Sequence, residues 1–244
     1  MSERFFSSQA IASDLVTLDG AEAHHLLHVM RATAGQRVTL FDDSGAEFSA
    51  VVEKLGRSQI DLRVVERRKV DRELPFPLTL GVALPKGDRQ KWLVEKLTEL
   101  GVMTLVPLMA ERGVAQPAER ALERLRRAVI EAAKQCGRNR LMRVEKPHAW
   151  VEWVSQNSLA GDLPSPDQVL KPDRRLIAHP GGTPLSQLDL APLPTQLAIG
   201  PEGGLADIEV AAAIHAGWQA VDLGPRILRV ETAALALAAA ITLR

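Results

Sequence analysis

The sequence contains only one cysteine, Cys136, among its 244 residues, so the chain cannot form an internal disulfide bond. This composition fits a reducing compartment. The sequence also lacks a basic and then apolar leader at its start. Its longest apolar run, Ala233–Ile241, is much shorter than a membrane-spanning helix. We therefore expect a cytoplasmic protein that does not enter the membrane.

The sequence carries no net charge, because 30 basic residues balance 30 acidic ones. Overall charge therefore does not indicate a nucleic-acid partner. The segment from Glu111 to Lys146 departs from this balance, with ten basic residues against five glutamates. Such a segment forms either a basic surface for RNA phosphates or a solvent-exposed helix with ion pairs one turn apart. The charge pattern alone leaves both interpretations open.

Residues 1–70 show the pattern of a small β-domain. Short runs with strand character, at Arg37–Phe41, Glu47–Val52 and Ile60–Val65, are separated by turn-forming residues. One helix is predicted among them, at Gly20–Thr33. This pattern predicts a small N-terminal β-barrel. Residues 71–77 are charged and contain two prolines, which predicts a linker.

From residue 78 to residue 244, apolar strands alternate with amphipathic helices. Leu78–Leu84 is a nearly continuous apolar run, which is typical of a strand buried on both faces. The alternation predicts an α/β domain with a mainly parallel sheet. Further strands are predicted at Val102–Val106, Leu176–Ala178, Gln196–Ile199 and Ala220–Leu223. Helices are predicted at Asp88–Leu100, Pro117–Cys136, Leu205–Ala216 and Glu231–Leu243, and a surface loop at Ser155–Arg174.

The first candidate site is the segment Ile199–Gly204, Ile-Gly-Pro-Glu-Gly-Gly, between an apolar strand and a helix. Glycines let a ligand approach the backbone closely, and the start of a helix presents free N–H groups. The segment matches neither the dinucleotide fingerprint Gly-x-Gly-x-x-Gly nor a phosphate-binding P-loop. It is therefore either a ligand-binding turn of another kind or a tight connection without a ligand.

The second candidate site is Leu223–Ala233, Leu-Gly-Pro-Arg-Ile-Leu-Arg-Val-Glu-Thr-Ala. Its Gly-Pro pair predicts a loop of fixed shape before the last helix. Leu223, Ile227 and Leu228 suit the walls of an adenine pocket in which backbone groups hold the edge of the base. In the alternative interpretation, Glu231-Thr232 only caps the helix.

Together, these two motifs resemble those of the SPOUT superfamily of RNA methyltransferases in order, in spacing and in position near the C-terminus. The resemblance is strongest to the RsmE-type 16S rRNA uridine-N3 methyltransferases, and it extends over the whole chain. The other matching segments are Arg4–Phe6, His24–Arg31, Lys86–Arg89, Glu95–Gly101, Glu111–Arg112 and Ala133–Arg138.

The resemblance implies a PUA-like N-terminal RNA-binding domain and a C-terminal SPOUT domain with a trefoil knot. It also implies a homodimer, S-adenosylmethionine as cofactor, and 16S rRNA or the assembled 30S subunit as substrate. The residues that match cofactor-binding positions are Leu176, Ala178, Ile199, Gly200, Pro201, Glu202, Gly203, Leu223, Gly224, Ile227, Leu228, Arg229, Glu231, Thr232 and Ala233. Those that match RNA-binding positions are Arg4, His25, Arg31, Lys86, Arg89, Arg112 and Arg138.

The implied reaction requires the uracil N3 to lie in line with the activated methyl group while the N3 proton leaves. Cationic groups near O2 and O4 stabilise the negative charge that develops on the base. Arg226 and Arg229 are the candidates for this role, with phosphate binding or dimer salt bridges as alternatives. Glu202 is a candidate base or partner of the cofactor's ammonium group, unless it only stabilises its turn. The general base is left unassigned.

The cluster of His24, His25 and His28 raises the possibility of a metal site. His24 and His28 lie one turn apart on the predicted helix, a spacing that can chelate a metal ion. No neighbouring cysteine or acidic residue completes a ligand set, so we predict no metal and assign the cluster to RNA contact or packing.

Three residues depart from the family pattern. Gly113 replaces a serine and Lys134 replaces a glutamate, and either change can alter RNA contacts. Ala206 stands at a helix N-cap where serine or threonine is common, although Glu209 keeps its capping-box position. The missing cap oxygen costs about 1 kcal/mol of helix stability.

Two other functions are compatible with these motifs. One is a different SPOUT activity, such as ribose 2′-O-methylation or tRNA guanine methylation. The other is RNA binding without catalysis. The blocks His24–Arg31 and Lys86–Asp88 favour the uridine-N3 activity, and the intact cofactor motifs argue against a silent protein.

Overall fold

The structure is a computed structural model that describes residues 4–113, 118–156 and 174–243. Most of the predicted loop Ser155–Arg174 lies outside the described residues, as does Pro117, the predicted first residue of a helix.

The chain divides into two compact units. The N-terminal unit comprises Met1–Glu73 and Ile130–Leu141, and the C-terminal unit comprises Leu74–Val129 and Met142–Arg244. No pattern in the sequence assigns Ile130–Leu141 to the first unit, because the segment continues an amphipathic helix that begins in the second.

The N-terminal unit contains a five-stranded mixed sheet in the order β1-β3-β4-β5-β2. Strand β1 pairs with β3 in parallel, and the other pairs are antiparallel. Along β5, buried Ile60, Leu62 and Val64 alternate with more exposed residues, as expected for a sheet with one face on the core. The strands are β1 (Arg4–Phe6), β2 (Leu15–Leu18), β3 (Arg37–Phe41), β4 (Ala46–Leu55) and β5 (Ile60–Lys69).

The helix predicted at Gly20–Thr33 is shorter and irregular. An α-helical turn, α1 (Gly20–His24), continues as a π-helical turn at His25–Val29. Arg31 then has a φ of 52°, which ends the helical path. The prediction was wrong about the length because apolar spacing does not distinguish a π-helical turn from an α-helical one.

A polar cluster attaches Ile130–Leu141 to the rest of the N-terminal unit. The guanidinium group of Arg4 donates to Oδ1 of Asn139 at 2.6 Å and pairs with Glu47 at 2.7 Å. Arg72 donates to Glu47 at 3.0 Å and to the carbonyl oxygen of Gly137 at 2.9 Å. Burial alone raises the pKa of Glu47, but the hydrogen bonds and charges of the two arginines outweigh it and hold that pKa below its usual value of 4.5.

Glu47→Gln is expected to destabilise the protein by about 2 kcal/mol at neutral pH, because two arginines lose a nearly buried anionic partner. Since the folded-state pKa is lowered, this stabilisation is present above the unfolded-state pKa and is lost as the pH falls through the folded-state value. Urea unfolding at several pH values tests this: the variant should show a shallower loss of stability in acid.

The matched control for this prediction is Glu53→Gln, which removes an ion pair with Arg63 that lies largely in solvent. Its effect should stay below about 1 kcal/mol at every pH. An equal cost of Glu47→Gln at pH 3 and at pH 7 would contradict the ion-pair explanation.

The C-terminal unit contains a second sheet in the order β12-β10-β11-β6-β7-β8, with β9 paired to β7. Every pairing in it is parallel, which confirms the predicted α/β class with a mainly parallel sheet. The trefoil knot stays a prediction. The strands are β6 (Leu78–Val82), β7 (Thr104–Met109), β8 (Arg143–Val144), β9 (His148–Ala149), β10 (Arg174–Pro184), β11 (Thr195–Ile199) and β12 (Gln219–Asp222).

Five helices accompany these strands, and the bounds of the four that were predicted agree with the predicted bounds to within two residues. They are α2 (Arg89–Glu99), α3 (Glu119–Cys136), α4 (Trp150–Ser155), α5 (Asp207–His215) and α6 (Val230–Thr242). Helix α4 was not predicted. In the described ranges, none of the helices has the length and apolar character needed to cross a membrane.

The central strands are completely buried, which explains their apolar sequences. All residues of β6 and β11 are buried. Gly81 is required in β6, because a Cβ atom there would lie 2.7 Å from the side chains of Leu108 and Trp153. Helix α2 buries Leu93, Val94 and Leu97, and it packs against α6.

Candidate active site

A cavity of 380 Å³ opens at the carboxyl ends of β10, β11 and β12 in the C-terminal unit. This edge of a parallel sheet is where ligands of α/β proteins bind. Three loops and the start of α6 line it, and both motifs singled out in the sequence contribute to its wall.

The first wall is the turn Ile199–Gly204, which follows β11. Gly200 lies so close to Leu205 that a Cβ atom would be 2.7 Å from its side chain, and Gly204 has a φ of 74°. The turn therefore needs glycine at both positions. It leaves the carboxylate of Glu202 40% exposed beside the cavity.

Glu209 fixes the exit of this turn into α5. Its buried carboxylate accepts hydrogen bonds from the backbone N–H groups of Ala206, at 2.9 Å, and Glu111, at 2.8 Å. Ala206 is the N-cap residue and has no side-chain oxygen, so only the glutamate half of a capping box forms. This confirms the position predicted for Glu209 and gives it a second contact outside the helix.

The second wall is the loop after β12, in the Leu223–Ala233 motif. Oδ1 of Asp222 accepts a hydrogen bond from the N–H of Gly224 at 2.7 Å, and Gly224 has a φ of 109°. Ile227 is 98% exposed although it lines the cavity. The loop thus presents apolar side chains to the cavity on a backbone held by hydrogen bonding.

The third wall is an irregular part of β10. Ala178 and Thr183 both pair with Val221, so the residues between them leave the ladder and turn toward the cavity. His179 and Pro180 in this bulge line the cavity, and the N–H of Gly181 donates to Oδ2 of Asp222 at 3.1 Å. Asp222 therefore joins the bulge to the loop after β12.

Most of the predicted cofactor residues come together at this cavity. Those that line it are Ala178, Ile199, Gly200, Pro201, Glu202, Leu223, Gly224, Ile227, Leu228 and Ala233. Leu176 is instead buried within β10, and Gly203, Arg229, Glu231 and Thr232 lie outside the lining.

The sequence interpretation missed Pro180, Leu205, Val221 and Asp222 as lining residues. Asp222 had a recognisable signal, since it is an acidic residue at the carboxyl end of a strand and precedes a Leu-Gly-Pro turn. The other three carry no distinctive sequence signal.

The two candidate arginines occupy different positions. Arg226 is exposed and lines the cavity, whereas Arg229 is exposed and is the N-cap residue of α6. The third candidate, Glu202, lines the cavity but pairs with Arg89 at 3.0 Å. Of the three, Arg226 has the position best suited to meet a substrate in the cavity.

Two candidate RNA-binding side chains of the N-terminal unit are engaged inside it. Arg4 pairs with Glu47, and the buried Arg138 donates to both carboxylate oxygens of Glu73. By contrast, Arg31 is exposed, and His25 is half-buried with its ring 5.9 Å from that of Phe5. RNA contact by all four stays a prediction.

The three RNA-binding candidates of the C-terminal unit differ in how free their side chains are to contact RNA. Lys86 and Arg112 are exposed. Arg112 lies beside the first cavity wall, because a Cβ atom on Gly203 would be 3.2 Å from its Cβ. Arg89 is held by two carboxylates, Glu202 and Glu231.

The structure also places the histidine cluster and Lys134. The rings of His24 and His28 are 4.8 Å apart, and within the described ranges no three His, Cys, Asp or Glu residues are grouped to hold a metal ion. Lys134, which departs from the family pattern, pairs with Glu22 at 3.0 Å and is 9% exposed, so it has an internal contact.

Comparison with known proteins agrees with this geometry. Residues 72–242 match the family model of an RNA methyltransferase domain, and residues 18–65 match that of an RNA methyltransferase PUA domain. The chain is 37% identical to the ribosomal RNA small subunit methyltransferase E of a Synechocystis species, over 92% of this chain and 72% of that protein.

Two solved structures are similar over nearly the whole chain. Ribosomal RNA small subunit methyltransferase E from Neisseria gonorrhoeae, bound to S-adenosylmethionine, has a TM-score of 0.85 and 29% identity, and covers 99% of this chain and 97% of its own. A putative methyltransferase from Legionella pneumophila, in complex with the same cofactor, has a TM-score of 0.86 and 28% identity, over 98% of both chains. The chain therefore belongs to the ribosomal RNA small subunit methyltransferase E family.

Proposed function

We propose that this protein transfers a methyl group from S-adenosylmethionine to N3 of a uridine in 16S ribosomal RNA. The observation that carries the proposal is the cavity at the strand ends, which is built from both C-terminal motifs of the family. The relatives named as small-subunit rRNA methyltransferases, and the related structures that bind S-adenosylmethionine, support the same activity.

The cavity fits the chemistry of S-adenosylmethionine. Its volume of 380 Å³ lies within the range of small-molecule sites. Leu223 and Leu228 give an apolar surface for the adenine, and Glu202 gives a carboxylate for the ammonium group. Gly204 and Gly224 have open space where a Cβ atom would stand, so a ligand can approach their backbone.

S-adenosylmethionine supplies a methyl group that the positive charge on its sulfur activates for transfer. The chain must orient the uracil and stabilise the negative charge that develops on O2 and O4 as the N3 proton leaves. Arg226, exposed at the cavity, can donate to these oxygens. Glu202 is less suited to act as the base, because its carboxylate is engaged in an ion pair with Arg89 at 3.0 Å.

The proposed substrate is 16S rRNA in the assembled 30S subunit, and the proposed location is the cytoplasm. The exposed Lys86 and Arg112 in the C-terminal unit suit contact with RNA phosphates. A homodimer and a trefoil knot, both implied by the family resemblance, complete the proposal.

Methyl transfer from labelled S-adenosylmethionine to 30S subunits that lack native modification tests the proposal. We expect 3-methyluridine as the only labelled nucleoside, with subunits preferred over free 16S rRNA. A labelled ribose or guanine product would instead identify another SPOUT activity. Cofactor binding without transfer to either substrate would identify a silent RNA-binding protein.

A further inference from the structure

Arg89 occupies a position that RNA binding does not explain. It is the first residue of α2, and its guanidinium group contacts two acidic side chains, one in the cavity wall and one in the first turn of α6. Nη2 lies 3.0 Å from Oε1 of Glu202, and Nη1 lies 3.3 Å from both carboxylate oxygens of Glu231. One planar cation therefore links the turn after β11 to the first turn of α6.

The two carboxylates differ in their dependence on this contact. The side chain of Glu231 is 8% exposed, and among the described residues Arg89 is its one ion-pair partner. A nearly buried carboxylate needs a paired cation, because burial without one is strongly unfavourable. Glu202 is 40% exposed and can also be stabilised by water. Glu231 thus anchors Arg89, and Arg89 in turn holds Glu202.

The arrangement connects α2 to the shape of the cavity. Glu202 lines the cavity. The cavity is also lined by Val230 and Ala233, which flank Glu231 in the first turn of α6. The hydrogen bond to Glu231, followed by the hydrogen bond to Glu202, raises the pKa of Arg89 above its usual value, so the bridging cation is present at all physiological pH values.

We propose that Arg89 is a positioning residue of the methyl-transfer site, which sets the affinity for S-adenosylmethionine by holding the Ile199–Gly204 turn at a fixed distance from α6. The inference rests on the proposed function, since it takes S-adenosylmethionine as the ligand of the cavity. A wall held in place before binding loses less conformational entropy when the ligand enters. Arg89 thereby acts on the cofactor through Glu202 and the α6 turn.

Measuring the affinity for S-adenosylmethionine without RNA distinguishes a positioning role of Arg89 from a role in binding RNA phosphates. Arg89→Met should raise the Kd for S-adenosylmethionine about tenfold in titration calorimetry and raise the KM for the cofactor while leaving the KM for RNA unchanged. Lys91→Met is the matched control on the same helix, because Lys91 is 68% exposed and, in the part of the chain that the structure describes, its one ion pair is with Glu95 at 3.6 Å. That control should bind the cofactor as the wild type does.

Two more variants address folding and charge. Arg89→Lys keeps the charge but cannot span both carboxylates, so it should bind the cofactor nearly as weakly as Arg89→Met. Arg89→Met combined with Glu231→Gln removes the buried unpaired charge and should fold stably, with the Kd still raised. S-adenosylhomocysteine lacks the sulfonium charge. Its Kd should rise from the wild type to Arg89→Met by the same factor as the Kd for S-adenosylmethionine.

Each outcome is decisive. If Arg89→Met binds the cofactor as tightly as the wild type does but binds RNA more weakly, Arg89 contacts RNA phosphates. That result would overturn the inference. Full rescue by Arg89→Lys would show that charge alone matters and would overturn the bridging role. If the wild-type protein itself does not bind S-adenosylmethionine, the proposed function is wrong, and the inference about Arg89 is wrong as well. Loss of affinity in all three Arg89 variants, with the control unchanged, supports the inference.

Discussion

Gly182→Ala should weaken S-adenosylmethionine binding at least tenfold and destabilise the protein by about 3 kcal/mol. A Cβ atom at this position would lie 2.5 Å from the carbonyl carbon of Ala220, a backbone atom of the neighbouring strand. A backbone atom cannot move aside as a side chain can, so β10 and β12 must separate where the bulge rejoins the ladder. Val221 and Asp222, which line the cavity there, would be displaced.

The neighbouring glycine is the control for this prediction. Gly181 has a φ of 79°, but a Cβ atom there would meet nothing within 4 Å. Gly181→Ala should therefore cost only about 1–2 kcal/mol, the penalty for the left-handed conformation. Urea unfolding and titration calorimetry measure both effects. If the two alanine variants lose stability and cofactor affinity equally, the close approach of Gly182 to β12 is not what shapes the cavity.

Arg226→Met should lower kcat for methyl transfer about a hundredfold, with little change in cofactor affinity, if its guanidinium group stabilises charge on the uracil. Arg226 is exposed at the cavity and has no ion pair with a described residue, so its removal leaves no buried carboxylate without a partner. Single-turnover methylation of 30S subunits measures the chemical step directly. Arg226→Lys should recover part of the rate, because it keeps the charge.

Arg229→Met is the comparison for this second prediction. Arg229 lies in the same motif and is also exposed, but it lies outside the cavity lining. We expect a smaller loss of kcat, together with a loss of RNA affinity of the kind that removal of a phosphate contact produces. A greater loss of kcat in Arg229→Met than in Arg226→Met would reverse the assignment.

Strands β6 and β11 were predictable because burial on both faces makes their sequences nearly continuously apolar. The short strands β8 and β9 were not predicted, and the buried strand β7 was predicted at Val102–Val106 but lies at Thr104–Met109. Pro107 in its interior normally argues against a strand. It is tolerated because Pro107 pairs with Val82 on one side and falls between the residues that pair with β8 and with β9 on the other.

The candidate site was predictable as far as its residues lie in contiguous motifs. Both C-terminal motifs contribute to the cavity wall. The contact between Gly181 of the β10 bulge and Asp222 was not predicted, because it joins residues that no local pattern links. Arg89 was assigned to RNA from the resemblance alone. Its carboxylate partners lie more than a hundred residues away in the sequence, so only the fold reveals its pairing.

The strand order of the C-terminal unit has a consequence for biosynthesis. Strand β6 lies between β7 and β11, and its register pairs Leu78 with Thr195. On the ribosome, β7 follows β6 closely, but β11 is translated only after α2, α3 and α4 have emerged. Until then, one edge of a mostly apolar strand is open to pairing with other chains. Aggregation of the nascent chain, and its relief by chaperones, should therefore depend on how quickly translation reaches residue 199.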